Sequence, residues 1–371
     1  MRKTKWPILC MLILAISLAA CVPTAGNEGD TGQIKAEDEK AQTIDWMEKD
    51  KYFISSQIQE IAPINNMDLY EVVYDAANAM EDEVDISAYT VSKEELQNIL
   101  EIIWDKGNAE FFYLKEMPTV SQDNKSVKIT YAFSKDEILE LKDKFAKEVN
   151  HILNDMIDQN ATDLQKQFSI YDYLLKSCTY NYDFFDNGID MTPEELMQLS
   201  DEELEDIGEK MAESEVINRA KKYNTANAYG VIVNKKGICF GFAGALNFLY
   251  NKIGIETRVI SDKLNTHSWN IVKIDGKYYH VDLTNDVDSG KNLEHFNFTD
   301  EERPNEGLLL SWNEPFFERG KEAVICNDNR FEYFRNVKDY KLVKNKIQFT
   351  DSKDGKKYVM NIDGTEKELI N

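Results

Sequence analysis

The sequence predicts an α+β protein, on three observations. Apolar residues recur at helical spacing after Cys239, from Ala243 through Leu246 and Leu249 to Ile253. Two alternating runs, His267–Ile274 and Lys277–Thr284, are joined by Asp275-Gly276, a two-residue hairpin signature. Capping-box sequences open several further helices, while the C-terminal part carries short alternating runs punctuated by Asp-Gly.

Residues 1–20 read as a secretory signal. Arg2, Lys3 and Lys5 precede the apolar run Ile8–Ile16, which is too short for a spanning helix and follows Pro7. The ending Leu18-Ala-Ala-Cys21 resembles a bacterial lipobox. That resemblance implies cleavage before Cys21, acylation of its thiol, and a protein anchored by lipid to the outer, extracytoplasmic face of the cell membrane. Cleavage removes three basic residues from a chain of 43 Lys+Arg and 67 Asp+Glu, leaving a formal charge of −27. Such a charge argues against nucleic acid as a partner and against a polybasic grip on anionic lipid. Residues 21–43, polar and acidic, read as a flexible tether.

Residues 44–160 form an N-terminal α+β region. A helix is expected over Asp68–Met80, and Ser92-Lys-Glu-Glu95 opens another to Trp104. Strands are expected at Phe111–Leu114 and Val127–Phe133, and Ser134-Lys-Asp-Glu137 caps a long helix through about Met156. His151 lies on that helix as a surface or packing residue, and no catalytic constellation occurs here.

Residues 161–300 carry the chemistry. A helix from Thr162, with Phe168, Tyr171, Leu174 and Leu175, leads into Tyr180-Asn-Tyr-Asp183. An acidic insertion over about 186–224 starts two helices, at Thr192-Pro-Glu-Glu195 and Ser200-Asp-Glu-Glu203. It reads either as a lid favouring basic substrates or as a solvated helical pair. Cys239 then falls at the first turn of its helix, where unsatisfied amides and the dipole favour a thiolate. In the hairpin, a two-residue loop pairs Ile274 with Lys277, so counting back sets Trp269 opposite Asp282 and His267 diagonal to Asp282. A thiol, an imidazole and a carboxylate are the three groups a cysteine nucleophile needs.

Gly237-x-Cys239-x-Gly-x-Ala, Gly254-Ile-x-x-Arg-Val259, His267-x-Trp-Asn and Asp275-Gly-x-Tyr-Tyr-x-Val-Asp282-x-Thr together resemble the bacterial transglutaminase-like domain of the papain-like cysteine-enzyme superfamily. The likeness extends from about Leu164 to Asp300. It implies Cys239 as nucleophile, His267 as general base, Asp282 as the orienting acid, and a thioester acyl-enzyme resolved by water or an amine. A peptide or protein substrate follows, with no cofactor; members of the family also serve as inactive modules that bind peptides. Tyr229 is a candidate ring near the nucleophile, to share the oxyanion with the Cys239 amide, and Trp269 a candidate shield for the His–Asp pair. His280 and His295 read as structural.

No metal site is expected, because Cys239, His267 and Asp282 lack zinc-ligand spacing and a fourth ligand. Once Cys10 and Cys21 are set aside, Cys178, Cys239 and Cys326 remain, an odd number that leaves at least one thiol free. Cys178 and Cys326 are read either as a pair or as two buried thiols. The extension 301–371 ends in a β-meander, Lys346–Thr350 and Tyr358–Ile362 with turns at Asp354-Gly355 and Asp363-Gly364, expected to add edge strands or cap the core.

Overall fold

A computed structural model describes residues 43–55, 58–59, 62–106, 109–182, 200, 226–261, 267–302, 311–312 and 324–370. The signal segment, Cys21, the tether to residue 42 and the acidic stretch 186–224 apart from Ser200 lie outside them. No helix among the described residues is long and apolar enough to cross a membrane.

The chain is α+β. Its first part holds α1 (Met67–Asn78), strand β1 (Glu83–Asp85), α2 (Lys93–Asp105), β2 (Thr119–Val120), β3 (Ser126–Lys128) and α3 (Lys135–Asp155). The helices begin where side chains cap them: Asn66, Ser92 and Ser134 each accept a first-turn amide, and Ser134 and Glu137 complete a capping box. β1, β3 and β2 form a small antiparallel sheet.

Two expected strands differ here. Phe111–Leu114 is a turn rather than a strand, with only Leu114 bridging Tyr131. All four of its residues are buried, so the run packs in several directions instead of alternating between two faces. Val127–Phe133 likewise shortens to β3 plus that single bridge.

The second part begins with α4 (Asp163–Ser177), capped by a Thr162–Gln165 box, and β4 (Thr179–Tyr180). After the acidic stretch come α5 (Ala228–Ile232), β5 (Lys236–Gly237) and α6 (Cys239–Lys252). β4 and β5 run parallel, pairing Thr179 with Lys236 and Tyr180 with Gly237. Helix α6 is buried on nearly all sides, and Gly254, at φ +81°, ends it in the left-handed conformation that favours glycine.

The sheet that flanks α6 is antiparallel, in the order β8-β7-β6-β9: β6 is Thr257–Ser261, β7 Ser268–Ile274, β8 Lys277–Val281 and β9 Ser311–Trp312. The β7–β8 turn has the two residues expected, Asp275 at φ 49° and Gly276 at φ 76°, and Ile274 pairs with Lys277. The second run ends earlier than its alternation suggests. β8 stops at Val281 because Asp282 turns to cap α7 (Leu283–Asp288), accepting the Asn285 amide at 3.1 Å.

The C-terminal extension is a four-stranded meander, β10 (Val337–Val343), β11 (Lys346–Asp351), β12 (Lys357–Asn361) and β13 (Glu368–Leu369). β10 carries little strand signal in the sequence, because Lys and Asp residues crowd it and a register shift interrupts it around Asp339. The meander packs inward through Ile347, Phe349, Met360 and Ile362. Phe334, just ahead of β10, stacks on Phe168 of α4 at 5.7 Å.

Two arginines tie this extension to the rest. Arg330 donates to the Tyr279 hydroxyl at 2.6 Å, to Asp275 at 3.0 Å and to the Ile274 carbonyl at 2.9 Å, gripping the hairpin turn from outside. Arg335 donates to the carbonyls of Leu293, Phe296 and Asn297 and to Glu302. Cys178 and Cys326 are free and buried, in separate apolar clusters, and Cys239 is free and partly exposed.

Candidate active site

Cys239 is the first residue of α6. Its helix is the exception among the long ones: the residue before it is Ile238, which offers no side-chain cap. Leu69, Glu95, Glu137 and Gln165 give their amides to capping side chains, whereas the first turn of α6 keeps that donor capacity for something else. The thiol thus stands partly exposed at the positive end of a helix otherwise sunk in apolar packing.

His267 immediately precedes β7, and Asp282 immediately follows β8, so both stand at the open end of the hairpin. The observed register continues to Trp269 opposite Asp282, and His267 reaches across the diagonal. Its Nε2 meets Asp282 Oδ2 at 2.7 Å. With Nε2 turned to the carboxylate, Nδ1 is the nitrogen left to act on Cys239, whose sulfur influences the ring. Burial works against a charged ring here, but the charge and hydrogen bond of Asp282, with the influence of Cys239, hold His267 well above the usual imidazole range.

Asp282 is 2% exposed. Burial alone would raise its pKa; the charge and bond of His267, the nearby His295 and the Asn285 amide outweigh it and keep the carboxyl below its ordinary value. The Asn285 side chain adds an Nδ2–H bond to Oδ2 at 2.8 Å. The acid is therefore ionised and held from two directions, by the ring it orients and by its own helix.

Trp269 lies flat against His267, the ring centroids 5.8 Å apart and the planes 16° from parallel. Its indole N–H donates to His280 Nδ1 at 3.0 Å, and His280 Nε2 meets Asp300 at 2.7 Å. Because Nδ1 accepts from the indole, the neutral ring carries its proton on Nε2 and gives it to Asp300. The Cys326 thiol lies beside His280 and Asp300, the three ligand atoms within 4.8 Å of one another. Burial pushes the Cys326 thiol up to about 12, away from the thiolate that a metal would bind.

Tyr229 sits elsewhere in the network. Its ring packs 4.7 Å from Phe112 and stacks 6.1 Å from Phe145, and burial alone raises its pKa. Tyr180 is the tyrosine whose hydroxyl feels the Cys239 sulfur; burial raises it first, and Cys239, Asp288 and Asp282 raise it further. The parallel pairing of Tyr180 with Gly237 brings it there. Tyr182 packs edge-on against Tyr180 at 4.9 Å and hydrogen-bonds Asp288. Tyr180 opens the run Tyr180–Asp183 that follows α4, and nothing in its local spacing points to the thiol.

The sequence description of the transglutaminase-like superfamily core matches residues 202–283, a span that includes Cys239, His267 and Asp282. No curated protein matches the chain. Among solved structures, one described as the crystal structure of a TGase is similar at 12% identity and a TM-score of 0.28. The likeness covers 59% of this chain, which spans about half of that one, 55%.

Proposed function

Starting from the match of residues 202–283 to the transglutaminase-like superfamily core, we propose that the protein is a cysteine-dependent enzyme that acts on peptide or amide carbonyls through a thioester. The observation that carries this reading is the His267–Asp282 bond, with the Cys239 sulfur acting on the same ring from an uncapped helix start. Cys239 Sγ, its proton passed to His267 Nδ1, adds to the carbonyl carbon, and the oxygen takes up the negative charge. The Cys239 amide and the Tyr180 hydroxyl, which lies within electrostatic reach of the sulfur, would be the two donors that receive it. His267 then gives its Nδ1 proton to the leaving nitrogen as the C–N bond breaks, and the thioester remains. A water molecule, deprotonated by the same nitrogen, attacks the thioester; the acid departs and the thiol is restored. Asp282 stays ionised and holds the ring throughout.

Hydrolysis is the favoured outcome over transfer to an amine, since no residue pattern marks an amine site. The lipobox-like Leu18-Ala-Ala-Cys21 supports a place at the outer face of a membrane, held by acyl chains on Cys21.

The test uses the full chain with a glutamine-containing peptide, with and without a primary amine, followed by mass spectrometry. Deamidation or backbone cleavage that disappears in Cys239→Ala and falls by about 10³ or more in His267→Ala supports the proposal. Amine incorporation would select transfer instead. A thiol that alkylates no faster than a free cysteine, whether or not His267 is present, would leave a peptide-binding module without catalysis.

A further inference from the structure

Each of the four histidines bonds an aspartate: His151 with Asp155, His267 with Asp282, His280 with Asp300 and His295 with Asp286. The last pair is set deepest on the acid side, for Asp286 is 0% exposed. Asp286 accepts from the Tyr171 hydroxyl at 2.6 Å, the His295 amide at 3.0 Å and His295 Nδ1 at 2.8 Å. Both partner residues return to Asp282. The Asp282 amide donates to the His295 carbonyl at 2.9 Å, and the Tyr171 hydroxyl lies 3.4 Å from the Asp282 carbonyl. The Asp286 amide reaches that same carbonyl at 3.4 Å.

We propose that Asp286, with Tyr171 and His295, is the positioning unit of the reaction centre: it fixes the Asp282 peptide, so that the carboxylate meets His267 Nε2 and keeps Nδ1 on Cys239. The inference rests on the cysteine-enzyme reading. A buried carboxylate serving stability alone is an expensive choice, since an apolar residue of similar size commonly does as well. What the carboxylate supplies is direction, because three donors converge on it from α4 and from the 293–297 loop, and both come back to one residue. The titratable groups around it are few. Asp282, Glu294 and Asp286 face His295, while Tyr171, His295 and Tyr340 face Asp286. Burial raises the Asp286 carboxyl, and the His295 and Tyr171 bonds oppose that rise.

The test follows iodoacetamide alkylation of Cys239 in the full chain from pH 4 to 9, read on its peptide by mass spectrometry. Wild type, Tyr171→Phe, Asp286→Asn and His267→Ala are compared, with thermal melting of each. Tyr171→Phe keeps the ring against Phe296, 4.8 Å away, so it retains the fold even where Asp286→Asn does not. Both variants are expected to react about tenfold more slowly at pH 6, with the profile midpoint about one unit higher and the alkaline rate unchanged. A merely structural role lowers the melting temperature and leaves the profile in place, which overturns the proposal. If His267→Ala removes the acidic shoulder while folded Tyr171→Phe keeps it, positioning fails and the enzyme reading stands. If His267→Ala leaves the profile untouched, both fall together.

Discussion

Tyr180 and Gly237 run side by side in a parallel pairing, and Cys239 lies two residues beyond Gly237. The pairing brings a phenol within electrostatic reach of a thiol although the two segments are far apart in sequence. Tyr180→Phe keeps the ring and its contact with Tyr182 and removes the hydroxyl alone. Acylation of Cys239 by p-nitrophenyl acetate, read as burst rate, is expected to fall about 10²-fold with little change in half-saturation. An unchanged burst would remove Tyr180 from the oxyanion site.

The His267–Asp282 pair gives a stability signature in pH. His267 is raised above its ordinary 6.5, so its contribution is whole below that value and fades as pH rises through the folded pKa. Asp282 is lowered below 3.8, so its contribution is whole above that value and is lost as pH falls through the folded pKa. The melting-temperature gap between wild type and His267→Gln is therefore expected to be widest between about pH 4 and 6.5 and to narrow on either side. A gap that grows steadily toward pH 9 would contradict the assigned pairing.

Gly276 holds φ 76° in the turn that sets the hairpin register. Gly276→Val places a β-branched residue in that conformation and is expected to cost about 1–3 kcal/mol, measured by urea unfolding. A single residue inserted after Gly276 is a stronger test. It moves Asp282 to the other face relative to His267, and Cys239 alkylation should fall to the His267→Ala rate while the far-ultraviolet spectrum stays nearly native.

Arg335 satisfies three carbonyls of the loop that bears His295. Arg335→Ala leaves those oxygens and Glu302 short of a donor, at a cost of about 2–4 kcal/mol in denaturant unfolding. Arg335→Lys is expected to recover only part of that, because one ammonium cannot span the fork.

The meeting of His267 and Asp282 was legible because a two-residue turn leaves one register, and the register decides which side chains share a face. Cys239 was legible from helical spacing and a flanking glycine. Tyr180 was not, since its place beside the sulfur depends on a parallel pairing between distant segments, which leaves no local period. Nearness in sequence favoured Tyr229, whose short helix instead turns the ring toward Phe112 and Phe145. The dual character of Asp282 was also hidden: the alternating pattern runs through it, but its side chain caps a helix and so ends the strand. Likewise, His280 and His295 looked structural one at a time, and only the fold shows both leading back to the central pair.

The grip of Arg330 on the hairpin turn has one more consequence. The guanidinium holds Ile274, Asp275 and Tyr279 from a segment reached only after β9. The carboxy-terminal portion is thus a clasp on the hairpin that carries His267 and Asp282, and a proteolytic nick that frees it would loosen their register from the end of the ribbon far from the thiol.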